Sequence, residues 1–232
     1  MNKILIASPT AYIKDYCINE WLLNVSHFTY PDFDVFLCDN SPDTTFYNQI
    51  TDFDFTHKDS TLFVDRVNPF NHSVKSAIAK SHEKCRQFAI KGNYDYLFHL
   101  ETDLFPRVNI IESLLDAKKK VIGATYFIEL GAESKLMVQQ IESFGNAHRE
   151  TYNLDSADLS FVDGRIKQVF SCGLGCVLIH KSVFTNYPFR YEEGAVVHPD
   201  SFFYADLNQN QERVFVDTSI HAKHYNQPLL RV

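Results

Sequence analysis

Glycine and proline are scarce, at eight each in 232 residues, which excludes collagen-like repeats and Pro/Gly-rich low-complexity chains. Long apolar runs are missing too. None approaches the roughly 20 residues of a membrane-spanning helix, and the apolar stretch in MNKILIASPT falls short of the roughly 7 to 15 residues of a signal-peptide core. A soluble, cytoplasmic protein is expected. Cysteines number five, an odd count without a C-x-x-C pair. Cys17, Cys38, Cys85, Cys172 and Cys176 lie mostly in apolar runs and read as reduced core thiols. Basic residues are outnumbered, 22 Lys and Arg against 29 Asp and Glu, for a net charge of -7. Such a field repels polyanions. Neither G-x-G-x-x-G nor a P-loop occurs, so dehydrogenase and P-loop NTPase readings fall.

What is present is a globular composition, 45% hydrophobic and 22% charged, of a length that one core can serve. An aromatic share of 14% predicts a bulky core and surfaces able to stack on flat ligands. Apolar runs alternate with helical patterns, the signature of β-α-β units and a largely parallel sheet. Strands are expected at Lys3–Ala7, Phe33–Cys38, Leu62–Val67, Tyr94–Leu100, Val121–Phe127, Val169–His180 and Arg213–Lys223. Helices are expected at Asp15–Phe28, Ser73–Ile90 (N-capped by Asn71 or Ser73), Ile110–Lys119, Lys181–Asn186 and Asp200–Asn208. Between Ile128 and Gln168 periodicity fades, and a long loop or small insertion is expected. This divides one domain into halves at 1–127 and 128–232.

Open α/β sheets bind ligands at the carboxyl ends of their strands. Thr10, Asp39 and Glu101-Thr102-Asp103 each follow an apolar strand and become neighbours. Carboxylates at i and i+2 of an extended exit point the same way, so both can reach one Mg²⁺ or Mn²⁺. Solvated turn or cap residues are the competing reading. In CGLGC the two thiols are too far apart along one strand to clamp a zinc, and the glycines leave room for a ligand to approach the backbone. His99, inside YLFHL, reads as a core histidine.

ILIASPT, VFLCDNSPD, YDYLFHLETDLFP, VFSCGLGCVLIHKSVF, DSFFYADL and VFVDTSIHAKH, in that order, resemble the GT-A glycosyltransferases, nucleotide-sugar-dependent enzymes with an Asp-x-Asp metal motif. The resemblance spans most of the chain and implies a GT-A-like Rossmannoid α/β domain with a central mixed, mostly parallel sheet flanked by helices. It implies that Pro9 and Thr10 border the nucleotide, that Asp39 accepts a hydrogen bond from base or ribose, and that Asp103 holds the metal. Glu101 stands where the family carries Asp. Arg66 and Lys75 are candidates to face base or phosphate. His224 is the implied third metal ligand, with His221 as its rival. A general base is implied at the helix after the glycine-bearing strand, at Asp200 or Asp206.

The expected activity is metal-dependent transfer of a sugar, from a UDP-sugar above others, to a hydroxyl acceptor: a glycan, a protein or a hydroxymethylated DNA base. The last would need a local basic patch, for which Lys118–Lys120 or Lys80, Lys84 and Arg86 are candidates. A catalytically silent nucleotide-sugar or glycan binder would keep Thr10, Asp39 and Asp103 without using Asp200. A nucleotidyltransferase would need an early glycine-rich basic loop, and Ser8–Tyr12 is not one.

Overall fold

A computed structural model describes residues 1–70, 72–130, 133–141, 151–155 and 159–225. The chain runs β1 (Ile4–Thr10), α1 (Ile18–Ser26), β2 (Phe33–Asp39), α2 (Thr45–Thr51), β3 (Leu62–Arg66), α3 (Val74–Lys91), β4 (Tyr96–Leu100) and β5 (Leu104–Phe105). There follow α4 (Ile110–Asp116), β6 (Val121–Thr125), β7 (Phe127–Leu130), β8 (Glu133–Ile141) and β9 (Thr151–Asp155). The last elements are β10 (Ile166–Val169), β11 (Cys176–His180), α5 (Lys181–Phe184), α6 (Pro199–Gln209), β12 (Val214–His221) and β13 (Lys223–His224).

Eight strands form one sheet in the order β10-β12-β6-β11-β4-β1-β2-β3. Only β10 and β11 run against the rest, so the sheet is mixed and mostly parallel. Its inner strands β1, β4, β6 and β11 read as largely apolar runs because both faces are covered. Along β1, Ile4 and Ile6 turn to the layer of α1, α2 and α4, while Leu5 and Ala7 turn to that of α3, α5 and α6. On α1, Ile18, Trp21, Leu22 and Val25 recur at helical spacing and are wholly buried. Truncating Trp21 to alanine removes about 3 to 5 kcal/mol.

Three expectations are corrected. The stretch 128–168 is no long loop in its described part: β7, β8 and β9 build a three-stranded antiparallel sheet. Alternation there is too polar to announce strands. Val169–His180 is two strands, not one, because Gly173 adopts φ +65°, in the left-handed region, and breaks the run. A side chain at Gly173 would overlap the Tyr126 hydroxyl, and a Cβ at Gly175 would lie 2.6 Å from both that hydroxyl and Leu104. Both glycines make room for Tyr126, and Gly173 also lines the cavity described below. The third concerns α6, which opens at Pro199 with His198 at its N-cap, so Asp200 lies in the first turn. Ser73 does cap α3, its hydroxyl accepting from Ser76 N at 3.3 Å, while Asn71 is outside the described residues. Helix α2 went unanticipated. All five cysteines are buried and free.

Candidate active site

The parallel strands β1, β2 and β4 end side by side. Thr10 is in register with Asp39, and Asp39 with Arg66. Asp39 is fully buried, with Oδ1 accepting from the Ser41 backbone N–H (2.9 Å) and hydroxyl and Oδ2 from Arg66 Nε (3.0 Å). A carboxylate offers about four acceptor positions, so most of this one's capacity is already spent inside the protein. Arg66 also donates to the Ser41 (2.9 Å) and Asp43 (2.6 Å) carbonyls, so it anchors the β2 exit. Pro9 lies within β1 opposite Cys38. Thr10 Oγ1 meets Thr102 Oγ1 at 3.1 Å, tying β1 to the segment after β4.

That segment bends instead of running on extended: Leu104 N donates to the Glu101 carbonyl at 3.0 Å. The bend buries Asp103, whose Oδ2 takes two donors, the ammonium of Lys14 and Nε2 of His224 at 3.0 Å. Lys14 comes from the one-turn 3-10 helix Tyr12–Lys14 just after β1, and His224 from β13, which pairs antiparallel with β5. Burial opposes ionisation of Asp103, but the hydrogen bond from His224 and the charge of Lys14 outweigh it and hold its pKa below the usual range. Glu101 behaves oppositely. Burial, then the nearby Asp103 charge, push its pKa up to about 7. His221, the rival of His224, is exposed on β12 with its ring 5.5 Å from that of Phe127.

As arranged, this corner does not fit a divalent cation. Among the described residues no group of three or more His, Cys, Asp or Glu side chains is gathered closely enough to hold one. The Asp103 oxygen nearest His224 already carries an ammonium, while Asp103 Oδ1 and His224 Nδ1 are buried without hydrogen-bond partners.

Beside the corner opens a cavity of about 360 Å³, floored by Glu101, Tyr126 and Gly173, walled by Lys135–Gln139 of β8, and flanked by His198 and Asp200. His198 Nδ1 lies 3.2 Å from Asp200 Oδ1, and that bond raises the histidine's pKa. Asp206 is elsewhere: both its oxygens are held by Arg190, at 2.9 and 2.8 Å. Lys75 donates to the Ala195 (3.3 Å) and Val196 carbonyls and pins the loop that leads into α6.

No protein-family profile and no curated protein sequence matches this chain. Solved structures do. The chain superposes over 99% of its length on GalNAc-T7, crystallised with UDP, GalNAc and Mn²⁺, at TM-score 0.62 and 9% identity. It matches S. aureus TarS 1–349 in complex with UDP-GlcNAc over 97% of its length, at TM-score 0.60 and 12% identity. Both are GT-A glycosyltransferases. The fold of this chain is GT-A. It spans 45% of that GalNAc-T7 chain and 60% of the TarS fragment. A mycobacterial protein is also similar, at TM-score 0.53 and 13% identity over 98% of this chain. Within the GT-A frame, Thr10 meets Thr102, Asp39 meets Arg66 at the neighbouring strand end, His224 meets Asp103, and Glu101 and Asp200 both line the cavity. Sequence reasoning missed Lys14, His198 and Tyr126, and placed Thr102 at the strand exit without a role. Lys14 had a signal: it follows the first strand closely, on the loop at the ligand-binding edge.

Proposed function

We propose that this chain is a glycosyltransferase that moves a sugar from a nucleoside-diphosphate donor, UDP-linked, to a hydroxyl of its acceptor. The observation that carries the reading is the juxtaposition, at one edge of a GT-A sheet, of the Thr10–Asp39–Arg66 strand ends, the Asp103 corner and a cavity flanked by Asp200. Solved neighbours hold UDP and UDP-GlcNAc. In this reading the nucleoside lies along the Thr10 and Asp39 ends, the diphosphate at the corner, and the sugar and acceptor hydroxyl in the cavity.

Asp200 serves as general base. His198 engages Asp200 Oδ1, which leaves Oδ2 to accept a proton. The acceptor oxygen bonds to the anomeric carbon as its proton passes to Asp200, and the bond to the β-phosphate oxygen breaks with its electron pair, so configuration inverts. Mn²⁺ or Mg²⁺ is the family's usual counter-charge, and GalNAc-T7 was crystallised with Mn²⁺; with Lys14 already on Asp103, no step here is routed through an ion.

Incubating the protein with UDP- and GDP-sugars and a panel of glycan, protein and hydroxymethylated-DNA acceptors, and following nucleotide release, tests the reading. Release from UDP-sugars that is lost in Asp200→Asn supports it; nucleotide-sugar binding without release favours the silent binder. Within the candidate basic patches for a DNA acceptor, Lys84 pairs with Asp65 at 2.8 Å, Arg86 with Glu83 at 2.7 Å, and Lys120 with Glu212 at 3.1 Å.

A further inference from the structure

Three cations stand near the ligand-binding edge of the sheet. Arg66 has its guanidinium spread over Asp39 and the Ser41 and Asp43 carbonyls. Lys75 is committed to the loop before α6. Lys14 differs. Its ammonium touches Asp103, its side chain remains 28% exposed, and it rises from a turn whose Tyr12 and Ile13 are open to solvent. An ammonium has three protons, and the bond to Asp103 uses one.

The surroundings explain why the charge sits there. Asp103 is 3% exposed and could not stay ionised in such a place without a compensating cation. His224 approaches the same carboxylate oxygen from the opposite end of the chain. Asp103, itself held by His224, thus keeps the Lys14 ammonium at the strand edge, at the place where a bound cation would meet that oxygen. Thr10, four residues before Lys14, is locked to Thr102, which fixes the base of the turn against the corner.

We propose that Lys14 is the built-in cation of this site, supplying to a nucleoside diphosphate the positive charge that a divalent ion supplies elsewhere in the fold. The inference rests on the glycosyltransferase reading above and concerns the counter-charge of that same site. Two ammonium protons reach phosphate oxygens while Asp103 keeps the third. When the anomeric bond breaks, the electron pair left on the β-phosphate oxygen lies beside a charge already in place, and Lys14 stays protonated throughout. A lysine acts here as a point charge and not as a planar fork, so arginine is a partial substitute.

Titration calorimetry of UDP and GDP, in EDTA and in Mn²⁺, tests this on the intact chain, with electron paramagnetic resonance of Mn²⁺ as an independent readout. The expected result is UDP binding in EDTA within about twofold of that in Mn²⁺, with the protein lowering the free Mn²⁺ signal no further than UDP alone does. Lys14→Ala weakens UDP about tenfold or more, the worth of one charge-assisted contact, and Lys14→Arg recovers most of the loss. Binding that requires Mn²⁺, a free Mn²⁺ signal that the protein lowers beyond the effect of UDP alone, or a Lys14→Ala variant as tight as the parent overturns the inference and leaves the glycosyltransferase reading standing. Absence of nucleotide binding in both buffers takes down the two together. The EDTA comparison needs no variant, so it decides even if Lys14→Ala does not fold.

Discussion

The two sides of the cavity are built by different means. The side proposed to take the nucleotide is made of strand ends in a parallel sheet, where Thr10, Asp39 and Arg66 are fixed by backbone register and their side chains bond across strands. The opposite side is made of β8 and the first turn of α6, reached through a loop held by Lys75 and bearing the exposed Val196 and Val197. Rigid register suits a ligand whose diphosphate and nucleoside are constant. A wall of small-sheet and loop residues can change without disturbing the core, as is usual where specificity resides. Donor and acceptor functions should therefore separate under mutation.

The largest separation is expected from Asp200→Asn, which should lower kcat about 10²- to 10⁴-fold, the range for loss of a general base. UDP affinity by calorimetry should stay within about twofold. Loss of both in equal measure would erase the distinction between the two sides. Next, Gly173→Ala should destabilise by about 3 kcal/mol in urea unfolding, combining a left-handed backbone with overlap on the Tyr126 hydroxyl. A fully stable variant would mean the cavity floor is not fixed by that contact.

Glu101 gives a smaller, pH-dependent effect. Its pKa in the folded chain, about 7, exceeds the ordinary 4.5, so the folded protein holds more protons between those values and stability falls as pH rises through that window. Because the side chain is partly open to the cavity, the full shift overstates the effect. Glu101→Gln should be more stable than the parent at pH 8, by on the order of 1 to 2 kcal/mol, and indistinguishable from it near pH 4.5. Guanidinium melts at a series of pH values check this; a constant difference across the series would contradict it. The smallest effect is expected of Lys75→Met, which frees the loop before α6: a rise of about two- to fivefold in the acceptor KM, with kcat and UDP affinity unchanged.

How far the sequence reaches follows the same division. Strand cores such as ILIA and VFLC carry their own signal, because burial on both faces leaves an apolar run that no neighbour can disguise. The residues just past those runs are marked by position, which is how Asp39, Glu101 and Asp103 were singled out, whereas Asp200 came from the family resemblance alone. What they touch was not legible. Lys14 and His224 converge on Asp103 from 89 and 121 residues away along the chain, and no local pattern encodes that meeting. Asp206 and Lys75 look as available in sequence as Asp200 and Arg66. Arg190 and the Ala195–Val196 carbonyls, supplied by an irregular loop, engage them instead. The β7–β9 sheet was hidden because its strands mix polar and apolar positions.

Strand β13 supplies His224 and, through the next residue's backbone N–H, a 2.8 Å bond to the Asp103 carbonyl. During vectorial synthesis the corner stays incomplete until residue 225 has cleared the ribosomal tunnel, although the strands that frame it emerged long before. A nascent chain therefore holds its sheet edge ahead of its chemistry. Truncated translation products ending before β13 would be folded in their first half and without the histidine that shares Asp103 with Lys14.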